Sequence, residues 1–329
     1  MASLARGTML VLLYNDLFSL PVKTDADPTP AGCEFTTDRR RYNEASIVVF
    51  HLPSLFDFPL SYVPTLSRRL LKIPAAAVFK AFFGIRKRPR QVWVGFWQEC
   101  PRSIYYRALL NDATFLRQFD IHMSYRQDAD VLRGYLPAPD ALAAFSAPAS
   151  AKTALINAFI SSPLNQSGRL AYLKELMKHI PVDSYGTQLR TVSSREDRRK
   201  IHSGNAAKKQ IIPGYKFSIA FENACATDYV TEKFFDPLLA GSVPVYLGAP
   251  NVEDFAPGDG CYINATDSDS PRQLAECLTE LDRDPQLYQS YFNWKHEPLR
   301  PRFLELVERQ RNWPTHMVDA AKTVLAGSR

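Results

Sequence analysis

The stretch Tyr215–Phe255, YKFSIAFENACATDYVTEKFFDPLLAGSVPVYLGAPNVEDF, decides the fold. It opens with an apolar run, Tyr215 to Phe221, dense enough to read as a buried strand. A polar loop follows from Glu222 to Asp228, a helix begins at about Thr231, Gly241 stops it, and Val243 to Leu247 is a second apolar strand. Strand, helix and strand in that order make one βαβ unit of a parallel sheet. Glu222, Asn223, Asp228, Tyr229, Thr231, Glu232 and Lys233 gather at the carboxyl end of its first strand, where open parallel sheets bind ligands.

The same alternation extends outward. Upstream, KTALINAFISS (Lys152 to Ser162) reads as a strand, and the helix after it, Gly168 to His179, sets Leu170, Leu173, Leu176 and Met177 on one face. Arg169 in its first turn opposes the helix dipole, so helix stability does not explain it, whereas a phosphate held there does. Earlier still, ASIVVF (Ala45 to Phe50) and QVWVGFW (Gln91 to Trp97) are short buried strands. The second runs into Gln98, Glu99, Cys100 and Pro101, which places the Glu99 carboxylate on a stiff loop at a strand end. Downstream, Ser270, Pro271 and Gln273 form a capping box that starts a helix.

Strands alternating with helices in both halves imply an α/β chain of two parallel-sheet domains. A length of 329 residues suits two domains of roughly 150 each. The Ala, Pro and Ser-rich stretch Pro137 to Ser150 reads as a linker, giving domains 1–148 and 149–300 with a helical tail over 301–329. The first 44 residues show only a short apolar run, Met9 to Leu13, and a loop.

A net charge of +6 points to anionic partners. The basic residues form separate clusters without an aromatic-interleaved stripe or a recognisable binding motif, which argues against nucleic acid. Five scattered cysteines without a CxxC pair argue against a zinc site and fit a reducing compartment. The segment VFKAFFGIRKRPR (Val78 to Arg90) sets Phe79, Phe82 and Phe83 beside Arg86, Lys87, Arg88 and Arg90, a pattern suited to peripheral contact with an anionic membrane. Met9 to Leu13 is far shorter than the roughly 20 residues that span a bilayer.

FEN, then YVTEK, then LLAGSVPVYLG resembles the donor-binding signature of the α1,3/α1,4-fucosyltransferase family. Three further pieces, FDIHMSYRQDADV, VDSYG and YQSYFNW, also resemble family segments, and the likeness runs from about residue 45 to 295. The tryptophan-bearing strand before Glu99 matches as well, although Cys100 stands where the family usually has serine. The resemblance implies the GT-B fold, two Rossmann-like domains facing across a cleft, and inverting transfer of L-fucose from GDP-β-L-fucose to an N-acetylglucosamine-containing glycan acceptor in α1,3 or α1,4 linkage. It implies Arg169 and Lys233 on the donor diphosphate, Glu232 on sugar hydroxyls, and Asn223 and Tyr229 as further donor contacts. The match of Glu99 to the family's Glu-Ser-Pro segment implies Glu99 as the general base, the expected catalytic residue. His51, at a strand end, and Trp97 are acceptor-side candidates.

Cations and a helix N-terminus suffice to absorb the charge of a leaving diphosphate, so no metal or other cofactor is expected. Four Asp-x-Asp pairs occur, but none follows an obvious apolar strand. The chain lacks the N-terminal anchor of animal and plant family members, which makes a cytoplasmic enzyme of bacterial type the expectation; the alternative is the Golgi lumen, if an anchor has been removed. The competing readings are a GT-B enzyme with another nucleotide sugar and a non-catalytic carbohydrate-binding relative.

Overall fold

The computed structural model describes residues 8–15, 29–55, 84–100, 110–111, 113–147, 150–192 and 205–327. The phenylalanines of the 78–90 segment and most of the basic run from Arg195 to Lys209 lie outside the described residues. The chain divides into two compact units, Met1–Gly134 with Arg309–Arg329, and Tyr135–Glu308.

The first unit is built on a parallel sheet of β1 (Met9–Leu13), β2 (Cys33–Thr36), β3 (Ile47–His51), β4 (Val92–Trp97), β5 (Ile121–Ser124) and β6 (Val131–Leu132), in the order β2-β1-β3-β4-β5-β6. Residues 1–44, which show little pattern in the sequence, supply an interior strand and its edge neighbour. β1 is an apolar run as long as β3 but with no alternation of elements around it in the sequence, and β2 is half-buried along its length, so neither reads as a strand. One face of the sheet is closed by the Trp313–Gly327 helix, whose Trp313, Met317, Val318 and Ala321 share a core with Val49, Val94, Phe96 and Met123.

The second unit holds β7 (Ala154–Ala158), β8 (Asp183–Ser184), β9 (Tyr215–Phe221), β10 (Val243–Leu247) and β11 (Ile263–Asn264), all parallel, in the order β11-β10-β9-β7-β8. The βαβ unit forms as expected: Thr231 caps the Glu232–Leu239 helix and Gly241, at φ 69°, ends it in the left-handed region open to glycine. Ser270 caps the Pro271–Arg283 helix by accepting from the Gln273 N–H at 3.2 Å. Strand order reverses between β7 and β9, and in the first sheet between β1 and β3. In open parallel sheets the ligand-binding crevice lies beyond the carboxyl ends of the strands at such reversals.

The proposed linker is not one. Pro139–Ser146 is a 3₁₀ helix whose Phe145, 1% exposed, packs edge-on against Trp294 and Phe303. Burial of that ring draws the stretch into the second unit and moves the division to Gly134/Tyr135 from 148/149. The segment from 301 is likewise no separate tail: Phe303 and Leu306 are buried in the second unit, and from Arg309 the chain belongs to the first.

Candidate active site

The crevice between β7 and β9 is framed by two loops tied to each other. Ser167 donates its backbone N–H to the Asn223 carbonyl at 3.0 Å and its hydroxyl to the Glu222 carbonyl at 2.6 Å. Arg169 follows Gly168, whose φ of 75° is a left-handed turn, and its guanidinium reaches back beneath the loops. It donates to the carbonyls of Phe221 at 3.1 Å, Ser162 at 3.1 Å and Leu164 at 3.0 Å. At 1% exposure Arg169 is a buried cation, with Nε unpartnered among the described residues. Burial lowers its pKa, and Glu222, Tyr229 and Glu232 oppose that shift. The residue is therefore first a brace for the crevice, and its charge lies under the site.

Above it stands the start of the Glu232–Leu239 helix. Glu222, fully buried, accepts the Thr231 N–H at 2.7 Å and the Thr231 hydroxyl at 2.9 Å. Thr231 in turn caps the helix, so one carboxylate at the end of β9 fixes where the next helix begins. Lys233 Nζ donates to Thr231 Oγ1 at 2.8 Å and to Glu232 Oε1 at 3.1 Å, and lies 3.4 Å from Glu222 Oε2. Burial raises the Glu222 pKa although Lys233 pulls it down. Burial also works against the Lys233 ammonium, but Glu222 and Glu232 outweigh it and raise its pKa. For Glu232 burial is again the largest influence, yet Lys233 and Lys208 hold its pKa below the ordinary value. Lys208 is anchored on Asp236 at 2.8 Å.

Tyr229 is 2% exposed, edge-on to Tyr135, and its carbonyl accepts from the Tyr246 hydroxyl at 3.5 Å. Asp228 takes a positive φ of 66°, held by Asn251, which accepts its N–H at 2.9 Å and donates to its carboxylate at 2.8 Å. The Asn223 side chain is half-buried and makes no hydrogen bond among the described residues. Arg169, Asn223, Tyr229, Glu232 and Lys233 are thus brought together at one strand reversal, around charges that burial strengthens. No group of three His, Cys, Asp or Glu side chains among the described residues is placed to hold a metal.

In the first unit, His51 ends β3 at the other reversal. Its backbone N–H donates to Asn15 Oδ1 at 2.9 Å, Asn15 Nδ2 donates to its carbonyl at 2.9 Å, and its Nδ1 is 2.8 Å from Ser54 Oγ. Burial pushes its pKa down to about 4, so the ring is neutral at pH 7. Glu99 lies just past β4, half-buried between the buried residues Gln98 and Cys100. Trp97 differs from its expected place on an open acceptor surface: its ring is 5% exposed and edge-on to His122, so as positioned it offers no free stacking face.

The profile described as glycosyltransferase family 10 (fucosyltransferase) C-terminal matches residues 149–323, and the fucosyltransferase N-terminal profile matches 6–136. This chain belongs to the glycosyltransferase family 10 fucosyltransferases. Among relatives, it is 33% identical over 313 residues to 3-galactosyl-N-acetylglucosaminide 4-alpha-L-fucosyltransferase FUT3 of Homo sapiens, across 90% of this chain and 75% of that protein. It is 32% identical over 317 residues to human 4-galactosyl-N-acetylglucosaminide 3-alpha-L-fucosyltransferase FUT5, across 92% of this chain and 74% of that protein. A solved alpha1,3-fucosyltransferase with GDP-fucose superimposes with a TM-score of 0.57 at 15% identity, over 99% of this chain and 92% of that one. The fold is of the GT-B, Rossmann-like α/β class, as the motifs implied.

Glu222, one of the strand-end polar groups evident in the sequence, sets the helix start and faces Lys233. Lys208, on the short helix Asn205–Ile211, is not among the sequence candidates; it pairs with Asp236 and helps hold the Glu232 pKa down.

Proposed function

We propose that this chain transfers L-fucose from GDP-β-L-fucose, with inversion, to a hydroxyl of an N-acetylglucosamine-containing glycan in α1,3 or α1,4 linkage. The observation that carries the reading is the Glu222–Thr231–Lys233 cluster at a helix start on the strand reversal, in a chain of this family. Lys233 and the helix amides receive the diphosphate, Arg169 supports them from below with buried charge, Glu232 takes sugar hydroxyls, and Asn223 and Tyr229 complete the donor contacts. Glu99 accepts the acceptor hydroxyl proton as that oxygen bonds to the anomeric carbon. The bond from that carbon to phosphate oxygen breaks with its electron pair on GDP, where Lys233 stabilises the new charge. His51, neutral and fixed by Asn15 and Ser54, is positioned to meet the acceptor as a hydrogen-bonding group rather than as a charge.

No metal is assigned to this scheme. Turnover with a panel of nucleotide sugars, in chelator and in added divalent ions, on a glycan array tests donor, acceptor and metal independence together. Transfer of fucose in chelator supports the proposal; preference for another sugar, or activity abolished by chelator and restored by metal, sinks the corresponding part. Glu99→Gln is the companion variant, expected to lose about 10² to 10⁴-fold in turnover with GDP binding intact.

For location, we propose a cytoplasmic enzyme resting peripherally on anionic membrane through Arg86, Lys87, Arg88 and Arg90. All five cysteines are unpaired, as a reducing compartment keeps them. No helix among the described residues is long and apolar enough to cross a membrane. Co-sedimentation with liposomes that is indifferent to anionic lipid retires the membrane contact.

A further inference from the structure

The chain leaves the first unit after Gly134 and re-enters it at Arg309, and both ends are fastened inside that unit. The fastening is one residue, Gly134, whose backbone N–H and carbonyl, in successive peptide units, are each held by a glutamine. Gln310, 6% exposed, accepts the Gly134 N–H at 2.8 Å through Oε1, and Gln98, 8% exposed, donates Nε2 to the Gly134 carbonyl at 2.7 Å. Alongside, Arg309 donates to the Gln127 carbonyl at 2.9 Å, and the Arg133 guanidinium lies over the Trp313 ring at 5.7 Å.

Gln98 directly precedes Glu99. The other neighbour, Cys100, is 1% exposed, so the half-buried carboxylate stands between two buried anchors. β4 delivers the chain to Gln98, and the Gly134 carbonyl stops it there. What Gly134 holds is therefore the last fixed point before Glu99, and what holds Gly134 is Gln310, far away in sequence. Satisfying backbone groups explains that the bonds exist. It does not explain why the two backbone groups of a single residue are partnered by the residue beside the proposed base and by a residue from the returning chain.

We infer that Gln98 and Gln310 are positioning residues that set the Glu99 carboxylate through the backbone of Gly134. The inference rests on Glu99 being the general base. A base displaced by about 1 Å loses on the order of a hundredfold in rate without any change in donor binding. The bond lost by a glutamine substitution should therefore appear in kcat and spare KM for GDP-fucose.

A double-mutant cycle on the full chain tests this, using Gln310→Met, Gln98→Met, Glu99→Gln and the combinations with Glu99→Gln. The expected result is a ten- to hundredfold fall in kcat for each methionine variant with KM for GDP-fucose and GDP affinity unchanged, and no further fall when Glu99 is already glutamine. An equal fall in both backgrounds overturns the inference, because the glutamines then act on something other than Glu99. Unchanged kcat in both methionine variants overturns it too. If Glu99→Gln alone keeps full turnover, the base assignment fails first, a result distinct from either. Should Gln310→Met not fold, Gln98→Met carries the test, since it leaves the Gly134 N–H bonded to Gln310.

Discussion

Replacing Lys233 with methionine separates two consequences that the geometry joins. The ammonium has Thr231 Oγ1 at 2.8 Å, Glu232 Oε1 at 3.1 Å and Glu222 Oε2 at 3.4 Å, so it stands against a fully buried carboxylate at the proposed donor site. For donor binding, one charge-assisted hydrogen bond of about 1.5–3 kcal/mol is lost. That corresponds to an increase of roughly ten- to a hundredfold in Kd for GDP and KM for GDP-fucose. For stability the effect depends on pH. Burial has already raised the Glu222 pKa, and loss of Lys233 raises it further. A carboxyl that holds its proton in the folded state favours folding at low pH and opposes it as pH rises above the unfolded value, about 4.3. The stability deficit of Lys233→Met should therefore be smallest near pH 5 and grow toward pH 8. Urea unfolding across that range, beside calorimetric GDP titration, reads both effects. A deficit that is flat with pH refutes the Glu222–Lys233 coupling; an unchanged GDP affinity refutes the phosphate role.

Two further outcomes follow from the same packing. His51, with its folded pKa near 4 against about 6.5 unfolded, contributes stability that is complete above pH 6.5 and drains away as pH falls toward 4, amounting to about 3 kcal/mol; His51→Gln should flatten that limb in denaturation curves, and an equal acid slope in the variant removes the residue from the account. A Cβ at Gly248 would stand 2.3 Å from the Tyr246 hydroxyl and 2.6 Å from Glu222 Cγ, so Gly248→Ala should cost about 1–3 kcal/mol and weaken GDP binding by pushing Glu222 off Thr231, whereas wild-type melting and affinity would mean the loop gives way freely.

The centre of the second sheet was legible because its long strands are buried apolar runs, while the two-residue edge strands Asp183–Ser184 and Ile263–Asn264 carry no such run. Tyr215–Phe221 and Val243–Leu247 have the bounds that their apolar runs state, with Thr231 and Gly241 marking the ends of the helix between them. The first sheet was less so: Ile47–His51 and Val92–Trp97 announce themselves, but Met9–Leu13, although apolar, has no alternation of elements around it and Cys33–Thr36 is too mixed to separate from loop. The stretch at 137–150 misled because alanine and proline are compatible with either a linker or a tight helix, and one ring, Phe145, settles the matter through contacts distant in sequence. In the site, residue types at the strand end were readable, while their division of labour was not. Arg169 looks from its sequence like an anion receptor against a helix dipole; that its guanidinium also reaches the Phe221 carbonyl, 52 residues on, shows only in the folded chain.

The helix over residues 313–327 has a bearing on how the protein is made. Tyr135–Glu308 is continuous, so that unit has all its parts as soon as residue 308 has emerged from the ribosome. The earlier-made sheet does not, because Trp313, Met317, Val318 and Ala321 are the cover for the face bearing Val49, Val94, Phe96 and Met123. Synthesis order and completion order are thus reversed, and through most of translation an apolar sheet with open edges waits uncovered. That interval favours aggregation over folding. Yield in a host should respond to chaperone supply and slower translation, and shortening the C-terminus into Trp313–Ala321 should send the chain to the insoluble fraction even though every residue of the proposed donor site is still present.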